Sequence, residues 1–397
     1  MREPAPRPQG RRDGQTAGFP PAHVTAPAGD VGLVIDVLTR ACNLRCRYCH
    51  EDAGAEEGRA AEAGGETARW LLGQTRRPAV RWVFHGGEPL LVGREHLEER
   101  RQHIASLAAL TGVSVSFGVQ SNGVLIDDRW AEWFAEHRVQ VSLSMDGPPE
   151  VNDVWRQGGA RVEQAVRLLR DRGVRPGVVC LLTPANVGRV RKVAAYFRSL
   201  GVRSVRFNLA WSVGRGAGLR LVDPGAFGRA KGELLDLMLE EDSSGVDREL
   251  FHQARQFLVT RRGDRRPGGI CSARPCGAGR KVVALTPEGA FTVCGRALGL
   301  GGGLGVLAFA GEAVAPARWA VRLGRFHRVN GVTEACDRCR ARGWCSGSCA
   351  AFAWQSSTTA ACRYWQVLNE EMERRATNLA ALVRRHSRSR VREAAPR

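Results

Sequence analysis

Residues 33–49 read LVIDVLTRACNLRCRYC, an apolar run that leads directly into three closely spaced cysteines. The run 32–38 is short, apolar and rich in β-branched residues, which is typical of a buried parallel strand. Cys42, Cys46 and Cys49 follow it with an x3–x2 spacing. Three thiolates on one loop can hold three irons of a 4Fe–4S cube and leave the fourth iron open to a ligand. A structural zinc site needs four closed ligands, so the triplet favours an iron–sulfur cluster.

Strand-like and helix-like patterns alternate downstream of this loop. Five further strands are predicted at 80–84, 114–119, 140–145, 177–183 and 204–209. Helices are predicted near 64–77, 94–110, 128–137, 160–172, 187–200 and 224–242. Six strand–helix units in a row predict an α/β architecture with a parallel sheet. Cys180 lies inside the fifth strand, where we expect it to be a buried apolar residue.

Composition and charge exclude several classes of protein. A chain of 397 residues with 12 Cys is too long to be a small disulfide scaffold. Its formal net charge is +19. The basic excess is spread along the chain, so a generally basic surface is expected rather than a nucleic-acid site, with an acidic peptide as the alternative partner. No apolar run of membrane-spanning length occurs, and the first thirty residues lack a signal-peptide core. We therefore expect no membrane partner and a cytoplasmic protein.

A second motif, Gly86-Gly87-Glu88-Pro89, directly follows the second strand. Glycines there allow the backbone to approach a ligand closely, and the Glu88 carboxylate can accept hydrogen bonds from an ammonium group. Polar residues also end the next two strands, in the segments QSNG at 120–123 and SMDGP at 144–148. Because the carboxyl ends of parallel strands meet at one end of a barrel, these segments predict one shared site.

The cysteine loop followed by GGEP resembles the radical S-adenosylmethionine (SAM) enzymes. The resemblance implies a partial (β/α)6 TIM-like barrel, with Cys42, Cys46 and Cys49 holding a SAM-binding 4Fe–4S cluster. GGEP would bind the methionine amino group, and Ser144 would contact the ribose or carboxylate region. His85 stands where the family often has Gln or Thr, and we expect it to be structural rather than catalytic. The implied SAM-binding positions are Tyr48, Gly86, Gly87, Glu88, Pro89, Asn122, Ser144 and Arg156.

The second half of the chain carries eight more cysteines between 271 and 362. Their spacing resembles a SPASM extension, a C-terminal cysteine-rich iron–sulfur domain of the same family, so that the resemblance spans about 31–365. It implies two auxiliary 4Fe–4S clusters and three clusters in total. One would be bound by Cys271, Cys276, Cys294 and Cys349, and the other by Cys336, Cys339, Cys345 and Cys362. A pair of zinc knuckles is the alternative, because Cys–x2–Cys is also a zinc spacing.

The domain organisation follows from these patterns. We expect a disordered arm at 1–30, the radical SAM partial barrel at 31–245, a linker at 246–268, the SPASM domain at 269–365, and a C-terminal helix and basic tail at 366–397. Within them, 247–262 and 365–386 are predicted to be helical, and 299–305 (GLGGGLG) to be a flexible loop. Thirty N-terminal residues are too few for a winged-helix leader-binding domain.

The resemblance implies a peptide maturase. Such an enzyme cleaves SAM reductively to a 5′-deoxyadenosyl radical, which abstracts hydrogen from a ribosomally made precursor peptide. Closed auxiliary clusters would accept an electron as an oxidative C–C, C–O or thioether crosslink forms. The segments HGGEPLL, QSNG and MDGPPEVND are similar to those of cyclophane-forming maturases. A flavodoxin- or ferredoxin-type protein would supply electrons.

Two alternatives stay open. One is an anaerobic sulfatase-maturating enzyme that makes formylglycine. That group carries Asp directly after the auxiliary cysteine that is Cys294 here, whereas this chain has Gly295-Arg296. The other is a zinc-stabilised, basic nucleic-acid-binding protein, which explains the charge and the Cys–x2–Cys pair but not GGEP or the cysteine triplet. The substrate, the modified residues and the general base cannot be predicted from these patterns.

Overall fold

The computed structural model describes residues 29–50, 65–261, 263, 276–298, 306–308, 316–327, 336–345, 349 and 358–393. The predictions made for the arm at 1–28, for Cys271 and for the glycine-rich loop at 299–305 lie outside these described residues.

Six parallel strands form the main sheet, in the spatial order β6-β5-β4-β3-β2-β1. They are β1 Leu33–Thr39, β2 Ala79–Gly86, β3 Ser114–Ser121, β4 Gln140–Ser144, β5 Gly177–Leu182 and β6 Val205–Leu209. All six were predicted from the sequence, and the α/β class with a parallel sheet is confirmed. Cys180 is fully buried on β5, as expected.

Three more strands extend this sheet beyond β1. Strand β7 (Val282–Leu285) pairs with β1 in parallel, with Leu33 opposite Val282, and β8 (Phe291–Thr292) and β9 (Val306–Ala308) follow antiparallel. The sequence pattern does not predict β7, because its four residues are all buried and are too few to show an alternation. As a consequence, the region of the auxiliary cysteines adjoins the strand that leads into the cysteine loop.

Helices follow the strands of the main sheet. They are α1 Gly65–Gln74, α2 Arg94–Thr111, α3 Asp128–Glu136, α4 Pro149–Asn152, α5 Gly159–Asp171, α6 Val190–Ser199 and α7 Pro224–Glu240. Side-chain caps define the starts of α3 and α7: Asp127 accepts a hydrogen bond from the Trp130 N–H at 2.9 Å, and Asp223 caps α7 ahead of Pro224. The single-turn helix α4 is missing from the sequence prediction, because four residues carry no periodicity.

The remaining described helices are α8 Arg248–Arg261, α9 Pro316–His327, and two near the C-terminus, Thr358–Arg374 and Ala376–Glu393. The helix predicted inside the linker is α8, and its buried Leu250 and Phe257 pack into the core. The single C-terminal helix predicted at 365–386 is instead two helices that meet at Arg375, whose guanidinium pairs with Asp236 of α7 at 2.6 Å. Among the described residues, no helix is both long and apolar enough to cross a membrane.

Glycines on α7 set its distance from helix Thr358–Arg374. A Cβ at Gly228 would lie 2.8 Å from the side chain of Val367, and Gly232 faces Glu371 in the same way. The two helices can approach this closely only because these positions have no side chain. Buried Lys231 on the same helix pairs with Asp247 and donates to the Phe207 carbonyl at 2.6 Å, which fixes the start of α8 against the sheet.

Candidate functional site

The cysteine loop and the GGEP loop are joined through their backbones. The Gly87 N–H donates to the Thr39 carbonyl at 2.9 Å, and the Glu88 N–H donates to the Ala41 carbonyl at 2.8 Å. A Cβ at Gly87 would lie 2.6 Å from the carbonyl carbon of Ala41, and Gly86 has φ +143°. That these glycines also let a ligand approach stays a prediction. In the structure they admit the backbone of the cysteine loop, which requires residues without a side chain.

Glu88 ties the ends of β2 and β3 together. Its carboxylate is fully buried and accepts hydrogen bonds from the Ser121 hydroxyl at 2.8 Å, the Asn122 N–H at 2.7 Å and the Leu90 N–H at 3.1 Å. Burial raises the pKa of this carboxyl to about 7, against the opposing effect of the hydrogen bonds. These bonds hold the GGEP loop against the end of β3, and the contact of Glu88 with an ammonium group stays a prediction.

The cysteine loop alternates between a buried and an exposed face. Leu44, Cys46 and Tyr48 are buried, whereas Asn43, Arg45 and Arg47 are exposed. Cys42 and Cys49 are half-buried. Burial raises the pKa of the Cys42 and Cys46 thiols, and the charge of Arg156 opposes that rise at Cys46. The three predicted cluster ligands therefore lie on one loop, with Cys46 innermost.

Asn122 and Pro89 lie beside this loop. The Asn122 side-chain amide donates to Asn43 at 2.7 Å and lies 3.9 Å from the Cys42 sulfur, so it contacts a predicted cluster ligand. Pro89 is buried and begins the short 3-10 helix Pro89–Val92, with Glu88 as its cap.

A buried network surrounds Tyr48. Its hydroxyl donates to the Asp146 carboxylate and accepts from Arg156 Nε at 2.9 Å, while the Leu181 N–H donates to Asp146 at 2.8 Å. Burial raises the pKa of both Tyr48 and Asp146, so the phenol stays protonated. Tyr48 and Arg156 thus connect the cysteine loop to the end of β4, and their predicted role in binding SAM stays a prediction. Asp146 is the residue that the sequence prediction missed, although its segment was noted.

The inner face of the sheet is polar near this site. Gln120 of β3 donates to the Ser144 hydroxyl of β4 at 2.9 Å, and both side chains are half-buried. On β2, His85 Nδ1 accepts from the Gly86 N–H at 2.8 Å, and burial lowers the pKa of this imidazole to about 4. His85 is therefore neutral near pH 7, and its bond to Gly86 fits the structural role expected of it.

The segment after β6 covers the cysteine loop from the other side. The Arg215 N–H donates to the Cys49 carbonyl at 2.9 Å, and a Cβ at Gly214 would lie 2.5 Å from that same oxygen. A Cβ at Gly216 would lie 3.4 Å from the Tyr48 Cα, so this glycine also faces the loop. The sequence prediction missed this segment, whose signal is the Gly-Arg-Gly turn at Gly214–Gly216 that follows β6. Together with these elements, apolar side chains enclose the loop: Leu44, Val124, Trp155, Leu181, Ala185, Ala210, Leu219 and Leu221.

The described auxiliary cysteines lie in two parts of the fold: Cys294 follows β8, and Cys362 lies in helix Thr358–Arg374, which packs against α7. Burial raises the pKa of the Cys362 thiol, and Cys336 and Cys339 raise it further, so these three are neighbours. Arg296 lies 3.9 Å from the Cys349 sulfur, which places Cys349 beside the Cys294 loop. Cys276 and Cys345 pack against the main core. The two sets of four ligands that the family resemblance implies stay a prediction.

None of the described cysteines forms a disulfide. Within the described ranges, no three His, Cys, Asp or Glu side chains converge as ligands of a single metal ion. A 4Fe–4S cube does not require such convergence, because each thiolate binds a different iron.

Comparison with known proteins assigns the first half of the chain. Residues 37–205 match the family model described as "Radical SAM superfamily". A cysteine-type anaerobic sulfatase-maturating enzyme of Clostridium perfringens (strain 13 / Type A) is 27% identical over 189 residues, 45% of this chain and 51% of that enzyme. A serine-type anaerobic sulfatase-maturating enzyme of Klebsiella aerogenes is 28% identical, over 47% of this chain and 48% of its own length. The chain thus spans about half the length of these curated relatives.

Solved structures extend the likeness in fold. The structure described as "Native anSMEcpe with bound AdoMet and Cp18Cys peptide" superposes with a TM-score of 0.71 at 21% identity, covering 89% of this chain and 98% of that one. Streptococcus suis SuiB bound to precursor peptide SuiA gives a TM-score of 0.60 at 13% identity, covering 83% and 74%. The predicted fold, an α/β radical SAM domain followed by a cysteine-rich region, is confirmed.

Proposed function

We propose that the chain is a radical SAM enzyme that oxidises a peptide substrate. Cys42, Cys46 and Cys49 would bind a 4Fe–4S cluster, and SAM would bind between the cysteine loop and the ends of β2–β4. The observation that carries this proposal is the pair of backbone hydrogen bonds from Gly87 and Glu88 to the cysteine loop. These bonds fix the three thiols against GGEP, although the two motifs are forty residues apart in sequence.

The residues present fit such a group. Three thiols on a half-buried loop are the donors that an iron–sulfur cluster takes. The apolar side chains of Leu44, Trp155 and Leu181 line the loop and exclude water from it. When bound, the cluster and SAM supply a 5′-deoxyadenosyl radical that can abstract an unactivated hydrogen. Glu88 and the Tyr48–Asp146–Arg156 network keep the loop and the strand ends in register around that ligand.

The C-terminal cysteines would bind two further 4Fe–4S clusters. The grouping of Cys362 with Cys336 and Cys339, and of Cys349 with the Cys294 loop, supports the crossed assignment. Four cysteines for each cluster leave no iron open to substrate. We therefore assign these clusters the role of accepting an electron from the oxidised peptide.

We propose a ribosomally made precursor peptide as the substrate and an oxidative crosslink as the product. A neighbouring fold, SuiB, is described as bound to a precursor peptide, and anSMEcpe as bound to AdoMet and a peptide, which supports a peptide partner. The cyclophane-forming type rests on the segments HGGEPLL, QSNG and MDGPPEVND alone.

Sulfatase maturation is the second candidate, because relatives of this chain carry that description. Directly after Cys294, where that group has an Asp, this chain has Gly295 followed by the cationic Arg296, which weakens this candidate. Incubation with a sulfatase-derived Cys or Ser peptide separates the two: formylglycine formation would favour maturation, and its absence alongside crosslinking of a precursor peptide would favour the first proposal.

Metal analysis tests the cluster assignment. Anaerobically reconstituted protein is expected to hold about twelve irons and as many sulfides per chain, without zinc. About four irons together with zinc would mean that only the radical SAM site binds an iron–sulfur cluster and that the C-terminal cysteines bind zinc. Zinc alone would contradict the proposal and favour the nucleic-acid-binding alternative.

A further inference from the structure

The exposed face of the cysteine loop is positively charged. Arg45 and Arg47 flank Cys46 in the sequence, and both point to solvent while Cys46 points inward. Only the backbone of this loop separates the two arginines from the Cys46 thiol. A protein that contacts Arg45 and Arg47 is therefore one layer of chain from the predicted cluster.

This face is a defined surface, which we call the outer face, made of Arg45, Arg47, Val154 and Gln157. The Arg47 guanidinium lies 4.7 Å over the Trp155 ring and donates to the Val154 carbonyl at 3.4 Å. The Arg45 N–H donates to the Gln157 side chain at 3.2 Å. Val154 is 47% exposed between these polar groups. The outer face thus combines an exposed apolar residue with two arginines, of which Arg47 is held through its side chain and Arg45 through its backbone. Apolar and arginine side chains together are a common composition for a binding surface.

In the part of the chain that the structure describes, the arginines of the outer face differ from other exposed arginines in their ion pairs. Other exposed arginines pair with carboxylates, as Arg167 does with Glu163 and Arg191 with Glu240. Among the described residues, no carboxylate forms an ion pair with Arg45 or Arg47. Asp153, the nearest acidic residue in sequence to Val154, accepts from the Gly159 N–H at 2.8 Å within its own loop.

We propose that the outer face is the docking surface for a small acidic electron-transfer protein. This inference rests on the proposed function, because it assigns the route by which the cluster of Cys42, Cys46 and Cys49 is reduced. One electron would leave the reduced flavin or iron–sulfur centre of the carrier, which is oxidised by one equivalent, and enter the cluster, which is reduced by one. Encounters between redox proteins are small and weak and are steered by charge, which suits a surface of this size.

Binding of oxidised flavodoxin is the direct test, since it does not depend on catalysis. Arg45→Glu/Arg47→Glu is expected to weaken binding by about tenfold or more at low salt and to remove most of its salt dependence. Arg175→Glu/Arg203→Glu is the matched control, because it reverses two exposed arginines at the opposite ends of the strands. Equal flavodoxin binding by wild type and the Arg45/Arg47 variant would overturn the proposal, as would an equal loss in the control.

A second comparison separates docking from the proposed function. With dithionite as reductant, the Arg45→Glu/Arg47→Glu enzyme should form 5′-deoxyadenosine at the wild-type rate. With reduced flavodoxin, it should be slower by about tenfold. If the double variant loses iron, the single variant Arg45→Glu is compared with wild type in the same two assays. No described contact involves the Arg45 side chain, so this substitution should leave the loop intact. Absence of 5′-deoxyadenosine from wild type with dithionite would reject the proposed function while leaving the binding result valid. Weakened binding of an acidic peptide, but not of flavodoxin, would overturn the docking proposal.

Discussion

The backbone N–H of Glu88 donates a hydrogen bond to the carbonyl of Ala41 over 2.8 Å. This bond joins the motif that follows β2 to the loop of the three cysteines that follows β1. Because its side chain also accepts from Ser121 and Asn122 at the end of β3, Glu88 links three strand ends. The site therefore depends on loop geometry that a single added methyl group can disturb.

Replacing Gly87 with Ala should disrupt the cysteine loop. The new Cβ would lie 2.6 Å from the Ala41 carbonyl carbon, so one of the two loops must move. We expect a loss of about 1–3 kcal/mol of stability and a lower iron content after reconstitution. Thermal unfolding and iron analysis measure both.

Gly73→Ala is the control for that substitution. Gly73 lies in α1 with nothing near its Cβ position, so alanine there should leave stability unchanged or raise it by up to about 1 kcal/mol. If Gly87→Ala behaved like Gly73→Ala in both measurements, the close approach of the two loops would not be required.

Ionisation of Glu88 should make the protein less stable as the pH rises. Burial raises the pKa of this carboxyl from 4.5 to about 7, so the folded protein binds the proton more tightly than the unfolded chain. The stabilisation is complete below pH 4.5 and is lost as the pH rises through 7, by up to about 3 kcal/mol. Glu88→Gln cannot ionise and should lack this pH dependence.

Melting temperatures between pH 5 and pH 8 check that expectation. Relative to Glu88→Gln, the wild type should lose stability across this range. The exposed Glu99→Gln serves as the matched control and should follow the wild type. Parallel curves for wild type and Glu88→Gln would mean that the carboxyl does not titrate in this range.

Removing the Tyr48 hydroxyl should lower the free energy of unfolding more than removing a hydroxyl nearer the surface. Phenylalanine keeps the ring stacked 6.5 Å from Trp155 but leaves the buried Asp146 without one of its donors. We expect Tyr48→Phe to destabilise the protein by about 1–3 kcal/mol. Tyr196→Phe removes a 2.6 Å bond to Glu163 at a half-exposed position and should cost less than about 1 kcal/mol. Denaturant unfolding compares them, and equal costs would contradict the role of the network.

The sequence predicted the strands and the motifs because each is a local pattern. The run 33–39, the cysteine triplet and GGEP are all visible within a few residues. The contacts that join these motifs are between residues far apart in sequence. Gly214 packs on the Cys49 carbonyl, and the Asp146 carboxylate accepts a hydrogen bond from the Tyr48 hydroxyl. Strand β7 was not predicted, because its four residues form a strand through pairing with β1 and show no pattern of their own. The bonds of Glu88 to Ser121 and Asn122 were not predicted either, because they depend on the neighbouring strand.

Iron content should report the role of the auxiliary cysteines. Cys349→Ala and Cys362→Ala each remove one ligand of a closed cluster and should lower iron by up to about four per chain. Both variants should still form 5′-deoxyadenosine but lose the crosslinked peptide. Cys180→Ala is the matched control, because Cys180 is buried on β5 away from either group and should keep full iron. Full iron and normal crosslinking by Cys349→Ala would contradict electron acceptance by these clusters.

The most direct test of the radical SAM site is the reductive cleavage of SAM. Anaerobically reconstituted wild type, given dithionite and SAM, should form 5′-deoxyadenosine and methionine in equal amounts, and Cys46→Ala should form neither. Absence of both products from wild type that carries its full iron, or equal amounts from Cys46→Ala, would contradict the account.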